Sequence, residues 1–331
     1  MSLSSELVEN TIRQHLAEHD TWRQLAQDAP EIYAAVERTL LAPGKRLRPR
    51  LFMLASSGYG MQSEQIIRQV SLALELAHAF VLMHDDLIDK ASHRRGIPTI
   101  GRDLDDRWPA TSLPSFKGND IALVLGDLIY TLAIEALCQT GTSEEKTTVA
   151  IGMLTRAAQA TACGALREIA ATRSDPARIS LADLYETYRL KTAFYTFKLP
   201  MQLGTLFADQ TSAVMAAIEA FANEAGLAFQ LRNDLEPLQD WLAGGALPDD
   251  IREMRMTAAL LHVWKNCVPG DRACLMQGDS QTMRGLFDSC GVLDWLAQEI
   301  SHHIALAAEL VPPLGLSPSA GTRLLELLAT I

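Results

Sequence analysis

From Glu64 onward, apolar residues fall at Ile67, Val70, Leu74, Ala77, Val81 and Ile88, the three-and-four spacing of a helix with one buried face. That period dominates the chain. Similar helical stretches are drawn at 3–19, 30–41, 46–58, 119–139, 145–171, 181–206, 211–239, 251–265, 280–288, 291–310 and 319–330. No alternating apolar run bounded by turn residues marks a sheet, so an all-α helical bundle is the economical fold. Breaks fall at Ala42-Pro43-Gly44, Arg95-Gly96-Ile97-Pro98, Ser174-Asp175-Pro176, Gly244-Gly245 and Val311-Pro312-Pro313. None is long enough for a linker, so residues 1–331 read as a single domain. The longest irregular segment, Arg102 to Lys117, has the length of a functional lid or insertion.

The chain has 331 residues, 48% of them hydrophobic, enough to bury a sizeable core. A net charge of -11 argues against a general nucleic-acid binder, whose footprint is a basic face. The five cysteines are odd in number and scattered, with no CxxC and no Cys/His zinc spacing, as in a reduced cytoplasmic protein. Met-Ser-Leu-Ser-Ser-Glu lacks the features of a secretory signal. Ile121 to Leu137, the most apolar stretch, is interrupted by Asp127 and Glu135 and reads as a buried core helix, so no integral membrane segment is expected.

Chemistry concentrates at His84-Asp85-Asp86-Leu87-Ile88-Asp89, followed by Arg94 and Arg95. On a helix, Asp85 and Asp89 share a face and can hold a divalent cation. Hard carboxylate oxygens suit Mg²⁺, which commonly binds one or two of them plus substrate phosphate oxygens. The arginines would meet the same phosphates as planar forks. The alternative is an acidic surface helix whose charge is merely solvated. A second basic group, Gly44-Lys45-Arg46-Leu47-Arg48-Pro49-Arg50, opens a helix, where free N–H groups favour an anion; a solvated basic turn is the competing reading. His78 lies two helical turns before Asp85 on nearly the same face, and would otherwise be a satisfied core histidine.

Together these segments resemble the trans-isoprenyl diphosphate synthases, geranylgeranyl diphosphate synthase-like members included. The resemblance runs from Gly44-Lys45-Arg46-Leu47-Arg48-Pro49 through Glu75-Leu76-Ala77-His78, Asp85-Asp86-Leu87-Ile88-Asp89 and Arg94-Arg95-Gly96-Ile97-Pro98-Thr99. It continues through Gly126-Asp127, Lys191-Thr192-Ala193 and Phe229-Gln230-Leu231-Arg232-Asn233-Asp234. It implies an isoprenoid synthase-type helical bundle around a central apolar cavity, with two diphosphate pockets, Mg²⁺ as cofactor and a homodimeric assembly. Asp85 and Asp89 would bind Mg²⁺ holding the allylic diphosphate, with Asp86 supporting. Arg94, Lys191, Thr192 and Gln230 would help hold that leaving group, and Lys45, Arg48, His78 and Arg95 would hold isopentenyl diphosphate. An allylic cation would then be attacked by the second substrate's double bond, in a site that excludes water.

Departures are as informative. The second acidic motif reads Asn233-Asp234-Leu235-Glu236-Pro237, losing its first and last carboxylates. Asn233 and Asp234 remain as metal candidates, with Asp240 on the same face supplying charge. Pro237 is expected to end or kink the helix near Glu236. The family's Gly-Lys pair becomes Met254-Arg255, leaving Arg255 as a cation for the diphosphate; Ala165 and Gly101 replace a glutamine and a histidine. Asn233-Asp234 also fits the start of a class I terpene cyclase motif, but Pro237 and Trp241 do not fit its remainder. A non-catalytic partner subunit is the third alternative, and the intact first motif opposes it. For product length, Phe80 with the smaller Val81, one turn below Asp85, resembles the floor of enzymes that make geranylgeranyl diphosphate. A ring that simply fills the core is the competing reading.

Overall fold

The computed structural model describes residues 3–94, 96–108, 116–277 and 280–331. It is all-α apart from a two-stranded hairpin. The helices are α1 (Leu3–Glu18), α2 (Asp20–Asp28), α3 (Pro30–Leu41), α4 (Leu47–Gly58), α5 (Glu64–Ile88), α6 (Ile100–Arg107), α7 (Gly118–Cys138) and α8 (Glu144–Thr172). They continue as α9 (Leu181–Tyr188), α10 (Leu199–Phe207), α11 (Ser212–Leu242), α12 (Asp249–Arg252), α13 (Ala258–Asn266), α14 (Arg272–Gln277), α15 (Ser280–Ser289), α16 (Val292–Glu309) and α17 (Pro318–Leu328). The hairpin pairs β1 (His93–Arg94) with β2 (Ile97–Pro98), His93 opposite Pro98.

The chain forms two compact units, Met1–Met53 with Met61–Ile151, and Leu54–Gly60 with Gly152–Ile331. In the first, α5 packs along α7. Ser63 caps α5 through the Ile66 amide, and the predicted stripe is buried at Val70, Leu74 and Ala77. Both α5 and α7 are long and apolar enough to cross a membrane, and more than half of that stretch of α5 is buried within the fold. In the second unit, α11 packs against α16 and the segment Arg189–Lys198. Its core includes Leu184, Leu231, Trp241, Leu260, Phe287 and Leu296.

Several elements differ from the sequence expectation. Residues 102–107, expected to be irregular, are helical in α6. Ile100 and Leu104 are buried one turn apart, while Arg102–Asp106 and Asp103–Arg107 pair along the exposed side, each at 2.8 Å. Residues 109–115 lie outside the described residues. The single helix expected over 251–265 is broken because Met254 has φ +53°, a left-handed conformation that reverses the chain between α12 and α13. Pro237 does not end α11, which runs on to Leu242 because Leu238 and Trp241 are buried beyond it.

The helix expected over 181–206 contains a π-helical segment, Arg189–Lys198. Pro200 offers no amide hydrogen to the turn before it, and the wider register takes up the mismatch. Two glycines allow close packing there. A Cβ at Gly164 of α8 would lie 2.5 Å from the Lys191 amide nitrogen, and one at Gly226 of α11 would lie 2.1 Å from the Ala193 Cβ. Any larger residue would push the neighbouring helices off Lys191-Thr192-Ala193.

Candidate active site

In the first unit the loop entering α4 is held by Arg46. Its guanidinium pairs with Glu75 of α5 and donates to the Leu40 and Ala42 carbonyls, each at 3.1 Å, while its backbone adopts φ +45°. Both charged groups are largely buried, so the pair is a structural pin whose loss would leave a bare charge inside the protein. It orders the loop that carries exposed Lys45 and leads into α4, where Arg48 is buried. His78 is partly buried on α5, seven residues before Asp85, roughly 10 Å along the helix axis.

The acidic run closes α5, and Asp89 is its C-cap. Arg94 reaches back from β1 to bridge two of its carboxylates, Nε to Asp86 at 2.8 Å and Nη2 to Asp85 at 3.2 Å. Burial pushes the Asp86 carboxyl up from its ordinary value, against the pull of Arg94. Arg94 thus answers the carboxylates directly, and serving a diphosphate would require it to exchange one partner for another. Arg95 lies outside the described residues. Among the described residues no three His, Cys, Asp or Glu side chains cluster as a protein-only metal cage. Mg²⁺ does not demand one, because two carboxylates with substrate oxygens satisfy its preferences, and Asp85 with Asp89 offers that donor set.

One turn earlier on α5, Phe80 lies in an aromatic cluster that its sequence position did not announce. Its ring centroid is 4.7 Å from that of His84 and 4.7 Å from that of Tyr130 on α7. Gly126 lets His84 approach, since a Cβ there would sit 2.5 Å from the His84 Nε2. Val81 is partly buried beside this cluster.

The second unit gathers Lys191, Thr192, Gln230 and Asp234. Lys191 Nζ pairs with Glu168 of α8 at 2.6 Å. The Thr192 hydroxyl donates to Gln230 Oε1 at 2.8 Å, and Gln230 Nε2 donates to Asp234 Oδ1 at 2.9 Å. The other oxygen of Asp234 accepts from the Tyr188 hydroxyl, which in turn accepts the Ala258 amide at 2.9 Å. Burial pushes the Asp234 carboxyl up to about 7, although the Tyr188 hydrogen bond acts in the opposite direction. Asn233 and Asp240 are exposed on α11 and are not drawn into this network. Arg255 is largely buried and faces carboxylates, Glu253 at 2.7 Å and Asp250 at 3.6 Å. Neither Tyr188 nor Glu168 could be singled out in the sequence, because each meets its partner, Asp234 or Lys191, only through packing of separate segments.

The all-α isoprenoid synthase fold is shared with solved structures. The geranylgeranyl pyrophosphate synthase of Corynebacterium glutamicum, complexed with isoprenyl diphosphate and magnesium, superposes with a TM-score of 0.86 at 23% identity, covering 99% of this chain and 98% of that one. The geranylgeranyl pyrophosphate synthetase of Pyrococcus horikoshii gives 0.80 at 23% identity, covering 98% and 94%. Residues 29–283 match the polyprenyl synthetase family, and the chain belongs to it. Among curated relatives, the geranylgeranyl diphosphate synthase of Sulfolobus acidocaldarius is 24% identical, covering 85% of this chain and 82% of the relative. The octaprenyl diphosphate synthase of Escherichia coli is 26% identical, covering 82% and 80%.

Proposed function

We propose that this chain condenses isopentenyl diphosphate head-to-tail with an allylic diphosphate, giving a medium-chain trans-polyprenyl diphosphate. The product we favour is geranylgeranyl diphosphate. As a polyprenyl synthetase the protein is a trans-prenyltransferase, and the family match spanning both acidic segments carries the reading. The match runs over residues 29–283, and we read residues 1–331 as one functional domain.

In this reading Asp85 and Asp89 hold Mg²⁺, with Asp86 and Arg94 shaping the charge around them. The ion, when bound, supplies positive charge against the departing diphosphate. Lys191 and the second Nε2 hydrogen of Gln230 donate hydrogen bonds to that leaving group, with Thr192 holding the Gln230 amide in place for the charge that develops. Lys45, Arg48, His78 and Arg95 bind isopentenyl diphosphate, whose double bond attacks the allylic cation; the tertiary cation so formed loses a proton to the departed diphosphate and the new double bond is set. Phe80 limits chain growth, and Tyr130 and His84 brace its ring. Exposed Leu123 (50%) and Val124 (65%) on α7 suit a homodimer contact, which light scattering tests. The enzyme is read as soluble and cytoplasmic.

The deciding experiment incubates purified protein and Mg²⁺ with isopentenyl diphosphate plus dimethylallyl, geranyl or farnesyl diphosphate, with products identified by chromatography. Chain extension that requires isopentenyl diphosphate is expected. A cyclic hydrocarbon from one allylic diphosphate alone would establish the cyclase instead, and ligand binding without turnover would establish a partner subunit.

A further inference from the structure

We infer that the second acidic segment of this chain is a positioning device, the hydrogen-bond chain Tyr188–Asp234–Gln230–Thr192, and that the ions are carried by Asp85 and Asp89 of the first. The inference rests on the functional reading above and narrows it. It replaces the sequence expectation that Asn233, Asp234 and Asp240 complete a metal cluster.

Hydrogen-bond direction is what decides the matter. Tyr188 Oη accepts the Ala258 amide at 2.9 Å, so its own hydrogen is directed to Asp234 Oδ2. Gln230 Oε1 is taken by the Thr192 hydroxyl, which orients the amide group so that Nε2 donates to Asp234 Oδ1 at 2.9 Å. Both oxygens of Asp234 are therefore met by donors whose alternatives are already in use. Asp234 is 7% exposed, so a cation reaching it would displace a donor into surroundings that offer no replacement. Mg²⁺ gives up its water reluctantly and demands near-octahedral oxygen geometry, which this carboxylate does not offer.

The rest of the segment does not compensate. Asn233 brings a neutral carbonyl, and the position four residues on, where a second carboxylate would share its face, is Pro237. Glu236 and Asp240 are exposed, and among the described residues no hydrogen bond or ion pair fixes either side chain. Asp234 acts instead through Gln230 and Thr192. Anchored on a carboxylate locked by Tyr188 and oriented by Thr192, Gln230 presents the second hydrogen of its Nε2 to a diphosphate.

The test counts ions. Mn²⁺ binding is followed by electron paramagnetic resonance with inorganic pyrophosphate, for wild type, Asp234→Asn, the double variant Glu236→Gln with Asp240→Asn, and Asp85→Asn with Asp89→Asn. The first-segment variant is expected to lose the pyrophosphate-dependent ions, and the two second-segment variants to keep the wild-type number. Asp234→Asn is further expected to weaken pyrophosphate binding about tenfold, as disturbed supporting hydrogen bonds do. Should Asp234→Asn fail to fold, Tyr188→Phe gives the same readout, weaker pyrophosphate binding at an unchanged ion number. An ion lost from either second-segment variant, or pyrophosphate affinity untouched in Asp234→Asn or Tyr188→Phe, overturns the inference while leaving prenyl transfer intact. A wild-type protein that neither binds these ions nor condenses substrates overturns both.

Discussion

At the end of α5, Asp85, Asp86 and Asp89 are partly covered and the first two meet the charge of Arg94, whereas within α11 Asp234 is sealed and meets two neutral donors. Position in the helix accounts for the contrast. A helix end leaves side chains at the surface and lets a following hairpin return a cation to them. The middle of a helix, packed against a π segment on one side, leaves room only for short hydrogen bonds. Carboxylates in related segments of sequence can therefore stay open to a charged partner in one place and be part of the scaffold in the other.

The contrast can be broken most directly at α5. Asp85→Asn should lower kcat/KM by about 10²- to 10³-fold, the usual consequence of removing one group that stabilises developing charge. Steady-state turnover of isopentenyl and allylic diphosphates measures it, and a loss below tenfold would move the chemistry away from this run. At α11 the expected effect falls on stability. Tyr188→Phe leaves the Ala258 amide and an Asp234 oxygen without their buried partner, which should cost about 1–3 kcal/mol in urea unfolding.

A smaller effect sharpens the same comparison through pH. Because the folded Asp234 carboxyl is raised to about 7, its contribution to stability is complete below the ordinary carboxylate value of about 4 and declines as pH rises through about 7. Unfolding measured without divalent ions should therefore show stability falling across that window, and Asp234→Asn should flatten the fall. The same slope in both proteins would show that Asp234 ionises normally. The mildest change is one of product. Phe80→Ala should lengthen the polyprenyl chain, and Tyr130→Ala should do so in part, whereas Tyr130→Phe should retain the wild-type product because the ring contact survives. Unchanged products in both alanine variants would remove this cluster from length control.

Sequence by itself determined the all-α class, the long helices α5, α7, α8, α11 and α16, and the family, because helical periodicity and contiguous motifs are local properties of the chain. It also located Asp85, Asp89, Lys191, Thr192 and Gln230 as one chemical vocabulary. The tertiary structure decided which partner each group meets. Arg94 folds back onto Asp85 and Asp86, and Arg255 onto Glu253. Tyr188 reaches Asp234 across 46 residues, and Phe80 meets Tyr130 on a neighbouring helix. Sequence also misplaced the break near Pro237 and missed the break at Met254, because burial of Leu238 and Trp241 and a left-handed backbone outweigh local propensity. Motif spacing reports which residues share a helix face; only packing reports which oxygen remains open to a metal.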